Sequence, residues 1–114
     1  RVGLECRAGY PASDLAHGER RMLELALALA TTPQLLLLDE PMAGAGTEES
    51  HRMSEIIERL RDDVSILLIE HDMDAVFRLA DRITVLVEGA VIASGAADEI
   101  SNSAAVQTAY LGSA

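Results

Sequence analysis

Leu35-Leu36-Leu37-Leu38-Asp39-Glu40 is a continuous apolar run that ends in two carboxylates, and Ser65-Ile66-Leu67-Leu68-Ile69-Glu70-His71 is a second run that ends in a carboxylate and an imidazole. Short apolar runs closed by polar residues are the mark of parallel strands covered on both faces. Between them, Glu48 to Arg61 carries Met53, Ile56, Ile57 and Leu60 at helical spacing. Strand, helix and strand within residues 35–69 predict a crossover unit whose two strands run parallel and share one carboxyl edge. Ligands of open α/β sheets gather at that edge, and Asp39, Glu40 and His71 all fall there.

Upstream, Met22, Leu25, Ala26 and Leu29 recur at helical spacing from Gly18 to Ala30. Leu23, Leu27 and Ala30 widen the stripe until it runs nearly all round, which predicts a buried helix. Thr31, Thr32 and Pro33 stop it. The first fifteen residues, with Gly3, Gly9 and Pro11, read as irregular and without a core face. Downstream, Met73, Val76, Phe77 and Ala80 predict a short helix. Ile83 to Val87 and Val91 to Ser94 then flank Glu88-Gly89 as a hairpin. Ala97 to Ser101 and Ala104 to Tyr110 predict two short helices, the second capped by Gly112. The fold class is α/β.

The 114 residues are enough for one domain. With 49% hydrophobic residues and a mean hydropathy of +0.17, the chain can bury a core. Nineteen acidic against nine basic residues give a net charge of −10, which disfavours a phosphate backbone as partner. All nine basic residues are arginine. Cys6 is the lone cysteine, so it forms no internal disulfide and suits a reducing cytoplasm. No apolar run approaches the roughly 20 residues that span a bilayer, and no signal peptide is legible. Met22, Met53, Met73 and Phe77 read as core packing.

An apolar strand ending in Asp-Glu suits a nucleotide hydrolase: the first carboxylate is a hard oxygen ligand for Mg²⁺, and the second can polarise an attacking water. The plainer reading is that Asp39 and Glu40 merely end a strand and that His71 is a loop residue. Leu15-Ala16-His17-Gly18-Glu19 opens the first helix, where unpaired N–H groups and the helix dipole could receive a phosphate and Gly18 permits close approach. Equally, Ser13 or Asp14 could simply cap that helix, and Arg20 with Glu24 reads as a solvated i,i+4 pair.

In this order the segments closely resemble the carboxyl-terminal half of an ATP-binding cassette (ABC) ATPase. Leu15 to Glu19 is similar to the family signature, Leu35 to Glu40 to its Walker B strand, and Glu70-His71-Asp72 to its switch-histidine loop. Asp39-Glu40-Pro41-Met42-Ala43-Gly44, Ile69 to Met73 and Ala109-Tyr110-Leu111-Gly112 look like the branched-chain amino-acid and urea importer branch. The resemblance covers the chain from end to end. It implies a partial P-loop NTPase (RecA-like) sheet with flanking helices and a carboxyl-terminal hairpin. Residues 1–31 would be the remnant of a helical subdomain, and residues 32–114 would run from Walker B to the carboxyl terminus.

By the same resemblance, the cofactors are ATP and Mg²⁺. Asp39 would serve the metal, Glu40 the attacking water and His71 the γ-phosphate. Leu15, Ala16, His17, Gly18 and Glu19 would face the nucleotide of a second cassette, and Ala43, Gly44, Ala45 and Gly46 would lie in the loop that couples the two sites. The partners implied are that second cassette and membrane permease subunits, which would hold the protein at the inner face of the cell membrane.

Two residues depart from the family pattern, which has serine where Ala16 stands, and Asp or Asn then Pro where Gly46 and Thr47 stand. The chain also has no lysine, so it cannot contain a Walker A motif, and no adenine-stacking aromatic platform is evident. The expectation is therefore an inactive fragment of an ATP-hydrolysing importer subunit, with an open sheet face that promotes self-association. The alternative is a non-catalytic protein-interaction module built on a degenerate cassette fold.

Overall fold

The structure, a computed structural model, describes residues 2–110. Its chain divides into two compact units between Asp72 and Met73. In the first, α1 (His17–Ala30), β1 (Leu35–Asp39), α2 (Thr47–Leu60) and β2 (Ser65–Ile69) follow two short 3-10 turns, Glu5–Arg7 and Ala12–Asp14. In the second, α3 (Met73–Leu79), β3 (Ile83–Val87), β4 (Ala90–Gly95), α4 (Ala97–Ser101) and α5 (Ala104–Tyr110) are arranged round an antiparallel hairpin.

The expected crossover forms. β1 and β2 pair in parallel with Leu35 opposite Ser65 and Asp39 opposite Ile69, and α2 connects them. The Glu40 N–H adds a further bond to the Ile69 carbonyl at 2.7 Å. α2 buries Met53, Ile56, Ile57 and Leu60, and α1 buries Met22 and Leu25. Pro33 follows a helix end at which Thr32 takes a left-handed φ of 54° and donates to Leu29.

Three expectations are corrected. α1 is not covered all round: Leu27 is 63% exposed, so the Leu and Ala residues that broaden its stripe reflect helix propensity as well as core contact. The strand pair is covered on one face only. Leu36 is buried, and Leu38, Ile66 and Leu68 are partly so, while Leu35, Leu37, Leu67 and Ile69 stand 54–66% exposed. The amino-terminal segment does have core residues, since Val2 and Leu15 are buried. Two isolated apolar side chains carry no periodicity, and periodicity was the signal available.

In the second unit, Ile83, Val85, Ile100 and Val106 form a closed cluster, with Val76, Phe77, Ile92 and Ala93 packed against it. The expected two-residue turn is present. Glu88 and Gly89 both have positive φ, 51° and 81°, the combination whose twist matches that of the flanking strands. A bulge between Val85 and Leu86 shifts the register, and the Tyr110 hydroxyl donates to the Leu86 carbonyl. Gly112, expected to cap α5, lies outside the described residues.

Glu88 is a non-glycine residue in the left-handed region, which asparagine tolerates better. Glu88→Asn should therefore stabilise the hairpin unit by about 0.5–1 kcal/mol, read as a rise in urea midpoint at unchanged slope; an unchanged or lower midpoint would contradict this assignment of the turn.

Candidate functional site

Parallel pairing carries β1 and β2 to the same edge, and the two chains leave it differently. At Glu40 the backbone turns left-handed, φ 48°, a conformation that costs a non-glycine residue about 1–3 kcal/mol and persists only where its surroundings over-determine it. The turn that follows closes with the Ala43 N–H on the Glu40 carbonyl at 3.0 Å. After β2 the chain continues through Glu70 and His71 towards α3.

These two exits bring Glu40 and His71 together. His71 Nδ1 lies 3.0 Å from Glu40 Oε1, with both side chains open to solvent. An ionised carboxylate only accepts, so Nδ1 carries the proton in this contact, and Nε2 is left as an acceptor while the ring is neutral. The arrangement can orient an imidazole against a carboxylate and leave the second Glu40 oxygen for a water molecule.

Asp39 closes β1 as an exposed side chain. It lines a shallow cleft of about 220 Å³ with Arg21, Glu24, Leu37 and Met53, to which neither Glu40 nor His71 contributes. No group of three or more metal-ligating side chains forms among the described residues. Asp39 thus fits Mg²⁺ as one hard oxygen donor, the mode in which that ion keeps several waters and takes the rest of its shell from phosphates.

The segment Leu15 to Glu19 opens α1. Leu15 is buried, and Ala16 is the N-cap with no side chain to accept a bond. Neither Ser13 nor Asp14 performs the capping that was one reading of the sequence. Glu19 reaches back instead, its Oε1 accepting the Ala16 N–H at 3.0 Å, which is half of a capping box. Its other oxygen takes the Arg7 Nε–H at 2.8 Å, and Arg7 lies 5.0 Å over the Tyr10 ring. Arg20 donates to the Ser13 carbonyl at 2.8 Å, in addition to its place one turn before Glu24.

The start of α1 sits against the loop that leaves β1. Arg21 Nη1 donates to the carbonyls of Glu40 and Pro41 at 3.0 and 3.2 Å. A Cβ built on Gly44 would lie 3.6 Å from His17 Nε2, and one built on Gly18 only 2.6 Å from the Glu49 carboxyl. The opening at Gly18 is thus taken up by a carboxylate, the kind of group that a helix amino terminus favours. Gly46 caps α2 without a side-chain bond, and Ala43 and Ala45 complete the loop half-buried.

Two further residues belong to this site. The side chain of Glu70 is 1% exposed, and its carboxylate accepts from the Met42 N–H at 3.2 Å and the His71 N–H at 3.1 Å. Arg21 is the other. Both carry ordinary sequence signatures, a charge on a helix and a charge at a strand end, and no spacing rule marks them.

The backbone N–H of Ala16, and then the Arg7 guanidinium, hold the Glu19 carboxyl below the usual carboxylate range. A depressed folded-state pKa stabilises the fold above the unfolded value, about 4.3, and that stabilisation is lost as pH falls through the depressed value. Glu19→Gln should therefore reduce stability at pH 6–7 and flatten the acid limb of the unfolding curve. Parallel wild-type and variant curves between pH 7 and 3 would contradict this.

Residues 2–43 match the ABC transporter family model, and residues 90–114 match that of the branched-chain amino acid ATP-binding cassette transporter. Over 100% of its length, the chain is 45% identical to the high-affinity branched-chain amino acid transport ATP-binding protein LivG of Salmonella typhimurium, covering 46% of it. It is 41% identical to BraF of Pseudomonas aeruginosa, of the same description, over 99% of this chain and 45% of that one. The chain spans about half the length of the curated relatives it matches. Among solved structures, an ATP-binding cassette of an ABC transporter superposes with a TM-score of 0.83 at 27% identity, over 97% of this chain and 46% of that one. A nucleotide-free ATP-binding cassette gives 0.84 at 26% identity, with the same two coverages.

Proposed function

As the carboxyl-terminal part, about 46%, of a LivG-type branched-chain amino-acid ABC transporter ATP-binding protein, this chain, we propose, carries the water-activating half of an ATP-hydrolysing site. The observation that supports this best is the 3.0 Å contact between Glu40 and His71 at the shared carboxyl edge of β1 and β2. Glu40 would polarise the attacking water, and His71, oriented through Nδ1, would meet the γ-phosphate from its other face. Asp39 would hold Mg²⁺, which when bound neutralises phosphate charge.

In this reading the chain is part of a P-loop NTPase sheet, and the strand and loop that bear Walker A lie outside it. A phosphate-binding loop needs a lysine, and the chain has none. Residues 1–31 are the remnant of the helical subdomain and residues 32–114 the Walker B portion. The Leu15 to Glu19 segment would meet the nucleotide of a second cassette, and Ala43 to Gly46 would couple the two sites. Permease subunits at the inner face of the membrane would supply the transport path for branched-chain amino acids, urea or a related solute. In isolation the exposed face of Leu35, Leu37, Leu67 and Ile69 would direct self-association.

The lysine-free composition also permits a second reading, an interaction module that retains the cassette fold without catalysis. A coding sequence with an in-frame Gly-rich loop and lysine upstream of Arg1 would exclude it.

In the full-length protein, Glu40→Gln should lower ATP turnover by about 10²–10⁴ with Mg-ATP binding retained, and the 114-residue chain alone should show no turnover. Turnover by the 114-residue chain that vanishes in Glu40→Gln would overturn this.

A further inference from the structure

The loop that follows β1 is held at both poles of its backbone by charges of opposite sign. Arg21, from the first turns of α1, donates to the carbonyls of Glu40 and Pro41. Glu70, from the end of β2, accepts the N–H of Met42. Pro41 and Met42 are themselves buried and the three bonds are partly so, and hydrogen bonds to a charged partner are stronger than neutral ones.

Glu70 is the more informative of the two. A carboxylate with its side chain 1% exposed needs donors around it, and those it finds belong to two different segments. One oxygen takes Met42 N–H at 3.2 Å, and the other takes His71 N–H at 3.1 Å, with Asp72 N–H at the long limit of 3.5 Å. The same side chain thus joins the loop that bears Glu40 to the loop that bears His71. Between them Glu40 adopts its left-handed φ of 48° and touches the imidazole.

We infer that Arg21 and Glu70 are positioning residues that clamp the Glu40–Met42 backbone from its carbonyl and amide poles and so keep the Glu40 carboxylate in register with His71. For catalysis, the inference rests on the hydrolytic reading above; for the geometry, it stands without it. Neither residue touches a substrate in this role. Glutamine is the decisive replacement at Glu70, because it keeps the shape and offers one acceptor oxygen where two are needed. One of the two loops must then lose its tie.

In the ¹⁵N-labelled 114-residue chain, Glu70→Gln should speed hydrogen exchange at the Met42 or His71 amide by about tenfold or more, and Arg21→Met should do the same at Met42. The His71 ring nitrogens should move towards free-imidazole shifts in both variants, while the amides of Ile100 and Val106 stay unchanged. In the full-length protein, both variants should lower kcat by about tenfold with KM for Mg-ATP within twofold. Wild-type exchange at both amides in Glu70→Gln, with wild-type ring shifts, would overturn the clamp. If Glu70→Gln fails to fold, the wild-type Met42 amide decides: exchange at the unprotected rate overturns the clamp, and protection that Arg21→Met removes supports it. A full-length wild type with no ATP turnover would sink the hydrolytic reading alone, because the exchange and ring-shift results answer for the clamp separately.

Discussion

Parallel pairing of Leu35–Asp39 with Ser65–Ile69 is the constraint on which the rest of the first unit depends. In most half-buried strands a slip of one residue turns apolar side chains to solvent, so burial fixes the register. Here both runs are apolar on both faces, and a slip would exchange one set of leucines for another. The polar ends do the fixing instead. Ser65 N–H bonds to the Gln34 carbonyl at one end of the pair and Glu40 N–H to the Ile69 carbonyl at the other. Those end bonds level residue 40 with residue 70, and the contact between Glu40 and His71 follows from that levelling.

Among the described residues, three that are not glycine hold positive φ, and they divide by purpose. Thr32 ends α1 and Glu88 forms the hairpin turn, where local geometry alone demands a left-handed residue. Glu40 has no such local demand, since a strand can leave a sheet by many routes. Its conformation is instead imposed by four bonds: its own N–H to Ile69, the Ala43 N–H on its carbonyl, Arg21 on the same carbonyl, and Glu70 on Met42 two residues on. Strain concentrated on the residue that faces the neighbouring imidazole is what a preorganised site requires.

The order of elements was legible because each rests on a local pattern: helical spacing at Met53, Ile56, Ile57 and Leu60, apolar runs at residues 35–38 and 65–69, and a two-residue turn at Glu88-Gly89. Asp39, Glu40 and His71 were legible as candidates because strand ends in a parallel sheet are where polar groups converge. What sequence could not give is which of two equivalent faces of a uniformly apolar strand is covered, or that Leu27 faces outward from a helix rich in leucine. Glu19 was partly legible, three residues after the N-cap, yet Ala16 can supply no reciprocal acceptor. Arg21 bonds to carbonyls 19 and 20 positions away, and Glu70, besides its own neighbours, ties an amide 28 positions away, so no short-range motif encodes the link between the two loops.

The charge balance carries the last step. At the carboxyl edge of β1 and β2 the chain places Asp39, Glu40 and Glu70, and Arg21 is engaged with the Glu40 and Pro41 carbonyls. The Glu49 carboxylate stands against Gly18 at the opening of α1. A nucleotide triphosphate brought to such an edge meets carboxylates first, and like charges at short range repel. On the hydrolytic reading, its countercharge would come from the metal ion and from a lysine-bearing loop that this chain does not itself contain. On that same reading, a chain with net charge −10 and no lysine would aim the water molecule, and the electrostatic work of holding the phosphates would fall to that loop.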